Sequence, residues 1–248
     1  IGTTRGLYRS TDNLASWTRV ITSGNIQQID FHPTDNNIVY VTSSSNRNKL
    51  YYSLNNGLSF STSNTIAGNN NSTGYLSISN DCHDCVFFAS NNGIWTSKDK
   101  GINFTFMSNP PENCLGFAVN DQDTSKMVYG YVDVVTSSDG GRTSSQVTWW
   151  SLGSAPHGPG NYDFKLHNGG KYIHADLHPA LSVNGVYYVG TDGFFSKSSD
   201  NGATWQIIGQ GIGIRENYSL GVSQSNHYRS ISGSQDNGTS IKHKTTWI

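Results

Sequence analysis

Three short stretches gather the residue types that do chemistry: His174-Ala-Asp176-Leu-His178-Pro, Asp192-Gly193, and Gln235-Asp236-Asn237-Gly. If residues 173–178 run as one β-strand, the two-residue alternation sets His174, Asp176 and His178 on a single polar face. Two imidazoles and a carboxylate spaced in this way could ligate a divalent metal. Asp176 with Asp192 or Asp236 could form the carboxylate pair of a glycoside hydrolase. The same groups can also tie neighbouring elements together through backbone amides, or hold a ligand. Structural network, binding site and catalysis stay open here, with Asp176, Asp192 and Asp236 as the catalytic candidates. No resident metal or cofactor is expected.

Just before the first stretch lies Trp149-Trp150-Ser-Leu-Gly-Ser-Ala-Pro-His157-Gly-Pro-Gly-Asn-Tyr162. Paired indoles with a tyrosine and a histidine are what a sugar-stacking platform uses, because flat rings cover apolar sugar faces while polar groups take the hydroxyls. The predicted ligand-binding set is Trp149, Trp150, His157, Tyr162, His174, Asp176 and His178. The competing expectation is that Trp149 and Trp150 continue an outer strand and pack on a neighbouring blade.

What positions these residues is a repeat. Ser10-Thr-Asp12-Asn-Leu14-Ala-Ser-Trp17 recurs as Ser53 to Phe60, Ser97 to Phe104, Ser137 to Ser144 and Ser198 to Trp205. The acidic or amide position falls at 12, 55, 99, 139 and 200. A period near 40 to 50 residues is the mark of a solenoid or propeller. The step from 139 to 200 is about 18 residues longer than the mean period, and the Trp149–Tyr162 segment fills it. Within each copy the Asp and Ser can bond backbone N–H groups of a turn, Gly supplies a positive φ, and the aromatic enters the next strand.

This pattern resembles the Asp-box, or BNR repeat, of sialidases, sortilin-type receptors and several glycoside hydrolases. The resemblance implies a β-propeller whose Asp-boxes lie at the periphery, with structural roles for Asp12, Asp99, Asp139 and Asp200. Over residues 173–241 the H-A-D-x-H, D-G and Q-D-N-G-T stretches are also similar to secreted BNR-repeat propellers related to sortilin-type and xyloglucanase-type folds. One departure is Phe194, where a second Gly is usual. The resemblance implies fold and secretion rather than one chemistry.

The expected fold class is all-β: one propeller domain over residues 1–248, built of four-stranded antiparallel blades with the Asp-box joining third to fourth strand. Blades are expected at about 26–64, 73–108, 115–150, 173–209 and 218–248, after a truncated first unit at 1–21. That makes about six blades or part of a larger ring, and the ragged first unit suggests a segment of a longer protein.

Composition narrows the partners. The 248 residues carry 16 Lys+Arg against 17 Asp+Glu, a net charge of −1, and only 13% charged residues. No basic footprint exists for a phosphate backbone, so nucleic acid is not an expected partner. No apolar run approaches a membrane span. Cys82-His-Asp-Cys85 sits in a hairpin loop with Cys114 far away, which lacks the second pair of a structural zinc site. A disulfide is expected, either Cys82–Cys85 or one of these with Cys114, and it points outside the reducing cytosol.

A sialidase needs an arginine cluster to clamp its substrate's carboxylate, and the scattered arginines here do not supply one. The expected function is a secreted or cell-surface binding or structural module that recognises a polysaccharide or protein, in a larger extracellular assembly. The alternative is an inverting glycoside hydrolase of the xyloglucanase kind.

Overall fold

The computed structural model describes residues 1–44, 49–63, 74–110, 113–154, 167–193, 195–208, 217–226, 228–234, 239–244 and 246–247. Of the expected site residues, His157, Tyr162 and Asp236 lie outside these.

Among the described residues, six antiparallel sheets follow one another along the chain. The first has three strands, β1 (Gly2–Thr3), β2 (Gly6–Arg9) and β3 (Thr18–Ile21). The second holds β4 (Ile26–Phe31), β5 (Val39–Ser43), β6 (Lys49–Ser53) and β7 (Ser61–Thr62). The third holds β8 (Gly74–Ile78), β9 (Val86–Ser90), β10 (Gly93–Ser97) and β11 (Thr105–Ser108). The fourth holds β12 (Gly116–Asn120), β13 (Asp123–Gly130), β14 (Val134–Ser137) and β15 (Ser145–Gln146). The fifth holds β16 (Leu177–Val183), β17 (Val186–Thr191), β18 (Phe195–Ser198) and β19 (Gln206–Ile207). The sixth holds β20 (Asn217–Val222), β21 (Arg229–Ser234), β22 (Thr239–His243) and β23 (Thr246–Trp247). Each sheet pairs its strands in sequence order, so each is a meander blade, and the fold is a β-propeller.

Packing between blades explains the repeat. Phe88, Trp95 and Phe104 of the third blade close on Ile38, Tyr40 and Leu50 of the second in one buried cluster. Ile173, Leu177, Tyr187, Val189 and Trp205 of the fifth close on Ala118, Val128 and Val134 of the fourth in another. Faces buried in this way make neighbouring blades interdependent.

The Asp-boxes behave as expected. In the last one Ser198 Oγ donates to Asp200 Oδ1 (2.8 Å), and Gly202 N–H donates back to Ser198 Oγ (2.9 Å). Thr204 gives its N–H to Asp200 Oδ1 (2.9 Å) and its hydroxyl to Oδ2 (2.6 Å). The same bonds, with backbone Thr143 first among them, hold the Asp139 carboxyl down at about 2. Gly202 has φ +84°, and a Cβ there would stand 2.7 Å from Thr136 and 2.8 Å from Val128 of the preceding blade. The glycine is therefore demanded twice, by the turn and by the packing. In the first box Leu14 takes the equivalent position at φ +72° and is exposed.

At the Asp-box end of the blades, the turns between first and second strand of the second to fifth blades reach a neighbour. His32 Nε2 of the second blade faces Asp84 Oδ1 of the third at 3.4 Å. Ser79 Oγ donates to Asn120 O (2.8 Å), and Asp81 Oδ2 accepts Thr124 N–H (3.0 Å), joining third to fourth. Asp121 accepts the N–H groups of Asn184 and Gly185 (both 2.8 Å) and the Ser182 hydroxyl (2.7 Å), joining fourth to fifth.

The disulfide is Cys82–Cys85, within the β8–β9 turn, and Cys114 remains a buried thiol whose Sγ lies 3.5 Å from Gly116 O. No helix among the described residues is long and apolar enough to cross a membrane.

Candidate functional site

The expected continuous strand over 173–178 does not form. Residues 172–174 belong to no strand, 175–176 bend, and β16 starts at Leu177. The bend follows from Asp176, which adopts the left-handed conformation at φ +58°. Alternation is broken there, so His174, Asp176 and His178 do not share a face. His174 is 2% exposed in the core, Asp176 is half-buried, and His178 is exposed.

His174 is a packing residue. The edge of its ring meets Trp150, with centroids 4.7 Å apart at 66°, and Trp150 in turn stacks on Tyr172 at 5.8 Å and 24°. On the other side a Cβ at Gly193 would fall 2.2 Å from His174 Cδ2. The Asp192-Gly193 stretch thus needs its glycine so that the β17–β18 turn can close over the imidazole.

That closure delivers Asp192. His178 Nε2 lies 2.6 Å from Asp192 Oδ1, which leaves Nδ1 of the half-exposed imidazole for other partners. Beside them Tyr131, on the β13–β14 turn of the fourth blade, hydrogen-bonds the Asp176 carboxylate. Asp176 first, then Asp192, pushes the Tyr131 phenol above its ordinary pKa, so one phenol senses both carboxylates. The backbone completes the junction, with Leu177 N–H donating to Tyr131 O at 2.9 Å.

The indoles are not strand residues. Trp150 opens a short 3-10 helix, Trp150–Ser154, and β15 has already ended at Gln146. Asp133 fixes this helix: its Oδ1 accepts Trp150 N–H at 2.7 Å and its Oδ2 accepts Gln146 Nε2 at 3.0 Å. Burial raises the Asp133 pKa against the pull of the Trp150 and Thr148 donors. Trp149 N–H bonds Lys171 O (2.9 Å), and its side chain is 42% exposed.

Tyr131 and Asp133 were not singled out from sequence, although a signal existed. They occupy the turn after the second strand of their blade, the place Asp192 occupies in the next one.

Strand register fixes which end of the propeller this is. Tyr187 pairs with Ser198 and Val186 with Val183 at the Asp-box end, whereas Leu177 pairs with Thr191 and Gly190 with Phe195 at the other. The cluster of Tyr131, Asp176, His178 and Asp192 sits at the end away from the Asp-boxes. Among the described residues no three His, Cys, Asp or Glu side chains converge as a metal site. The geometry offers hydrogen-bond acceptors, one phenol and an exposed imidazole. Such a surface can bind hydroxyls or amides, or move a proton at His178 Nδ1.

Comparison with known proteins places this geometry. Two solved structures resemble the whole chain: a GH74 enzyme of Niastella koreensis, at 15% identity and a TM-score of 0.58, and the GH74 xyloglucanase of Xanthomonas campestris, at 13% and 0.59. This chain spans 42% of the length of each. A chain of a nidogen/laminin complex is similar at 11% identity and a TM-score of 0.56, over 100% of this chain and 91% of that one. At these identities the likeness is one of fold. No curated protein sequence matches the chain. The family model described as sortilin, neurotensin receptor 3 matches residues 5–151, more than half of the chain, and the protein belongs to this Sortilin-Vps10 family.

Proposed function

We propose that the protein is an extracellular propeller module that binds a carbohydrate or protein ligand at the junction of the fourth and fifth blades, on the face away from the Asp-boxes. The observation that carries this is the convergence of Tyr131, Asp176, His178 and Asp192 from three separate segments, with the His178 imidazole exposed. A few oriented polar groups gathered at one spot are a usual element of a recognition site. A left-handed non-glycine residue at that spot adds to the reading, since strain of this kind collects at functional sites. The single disulfide agrees with secretion.

A second reading is a glycoside hydrolase with Asp176 and Asp192 as its carboxylates. It is supported by the proximity of both to the Tyr131 phenol and by the GH74 fold likeness. Against it, Asp192 is held by His178 and Asp176 by Tyr131, an arrangement suited to fixed acceptors.

Binding and turnover on a polysaccharide panel separate the two. A binding module gives retention without new reducing ends, weakened by Asp192→Asn or His178→Ala in variants that still melt cooperatively. Turnover abolished by Asp176→Ala or Asp192→Ala would replace the binding reading with the hydrolase. Full binding by both of these variants would move the site elsewhere.

A further inference from the structure

The β8–β9 turn does more than reverse the chain. Its Asp84 carboxylate faces His32 of the second blade (3.4 Å) and Lys100 Nζ (3.8 Å), and its Asp84 carbonyl accepts Lys100 N–H (2.9 Å) from the Asp-box of its own blade. Ser79 and Asp81, at the start of the same turn, bond Asn120 and Thr124 of the fourth blade. One turn therefore grips both neighbours.

His32 is built to meet it. The ring is 5% exposed, and its Nδ1 accepts the N–H groups of Thr34 (3.3 Å) and Asp35 (3.1 Å). Two donors at Nδ1 leave the ring proton on Nε2, a buried atom that stands 3.4 Å from Asp84 Oδ1 without a hydrogen bond to it. Below lies the fully buried Tyr40, against which Gly101 of the same Asp-box packs.

Cys82 and Cys85 close this turn, with Cys85 N–H bonded to Cys82 O at 3.0 Å. A bridge over three residues removes little freedom from the unfolded chain, so its effect is local geometry rather than global stability. Cys82 is half-buried at the surface and Cys85 is buried. An accessible bridge of this kind is open to thiol exchange.

We infer that Cys82–Cys85 is a redox-operated clamp, which when oxidised holds Asp84 and Asp81 in place to lock the second, third and fourth blades together and when reduced releases both junctions. A dithiol reductant supplies the two electrons. One of its thiolates attacks Cys82 Sγ, the S–S bond breaks with Cys85 leaving as thiolate, and its second sulfur resolves the mixed disulfide. Two cysteine thiols and the oxidised reductant result, with the reductant's two protons on Cys82 and Cys85.

Amide hydrogen exchange of the full chain, before and after dithiothreitol, reads the clamp directly. Thr34, Asp35, Lys100 and Thr124 N–H groups are expected to exchange at least tenfold faster on reduction and to recover on reoxidation. Asn184 and Gly185, held by Asp121, are the internal control and should change less than twofold. The Cys82→Ser/Cys85→Ser double variant should match the reduced protein. Unchanged exchange at the four reporter amides would overturn the clamp, and so would equal acceleration at Asn184 and Gly185, which would mark the bridge as a general staple.

Discussion

His178 Nε2 and Asp192 Oδ1 lie 2.6 Å apart, linking the first strand of the fifth blade to the turn after its second strand on an open surface. An exposed pair of this sort adds at most about 1 kcal/mol to stability. Asp192→Asn and His178→Ala are therefore expected to melt within a degree or two of the parent. If the pair serves recognition, either change should weaken by at least tenfold the binding of whichever polysaccharide the panel retains. Calorimetric titration and thermal melts separate the two effects.

Asp176 carries a second, sharper expectation. Both Asp176→Gly and Asp176→Ala lose the bond to Tyr131, but only alanine keeps a Cβ in the left-handed region. The glycine variant should be the more stable of the two by about 1 kcal/mol. Denaturant midpoints that rank alanine first would contradict the φ of +58° at this position.

Two tryptophans in equivalent box positions should respond differently. Trp205 is 3% exposed and packs in the cluster between fourth and fifth blades, whereas Trp17 is 43% exposed. Trp205→Ala is expected to cost roughly 3–5 kcal/mol and Trp17→Ala under about 1 kcal/mol. Equal losses in urea unfolding would refute the assigned burial.

Asp30 gives a pH dependence with a definite sign. It lies on β4, accepts a bond from Gln28 Nε2 (2.6 Å), and burial lifts its pKa from 3.8 to about 6. The folded protein then binds this proton more tightly than the unfolded chain. The cost of the charged form is fully present above about pH 6 and fades as pH falls toward 3.8. Asp30→Asn should raise the melting temperature at pH 7.5 and change it little at pH 4. The turn carboxylates Asp12 and Asp139, held down at about 2, lose their contribution only below 3.8, so the windows do not overlap.

Alkylation of the unreduced, denatured protein should modify one cysteine, Cys114, and reduction should expose two more. Three modified thiols without reductant would exclude the bridge on which the clamp rests.

Much of the fold was legible because the repeat is local physics. Serine, aspartate and glycine at fixed spacing make the same turn, and in the Ser198 to Trp205 copy the aromatic that follows is buried, whereas Trp17 of the first copy is exposed. The meander order follows from those turns, since each blade is complete within its own stretch of chain. The prediction failed at residues 173–178, where alternation assumed a strand. A single left-handed residue, Asp176, turns the chain and sends His174 into the core while His178 stays at the surface. Nothing in the side-chain types distinguishes that bend from a strand, because the conformation is held by Tyr131, more than forty residues away.

By itself the sequence determined the blade, its turn and the chemical character of the residues around 149–193. Tertiary structure alone decided which of those residues meet: Tyr131 with Asp176, Asp192 with His178, and Cys82 with Cys85 rather than Cys114. The reason is that turn formation depends on neighbours within a few positions, whereas Tyr131 reaches Asp176 only through the packing of one blade on the next, and His178 reaches Asp192 only through strand pairing within the fifth blade.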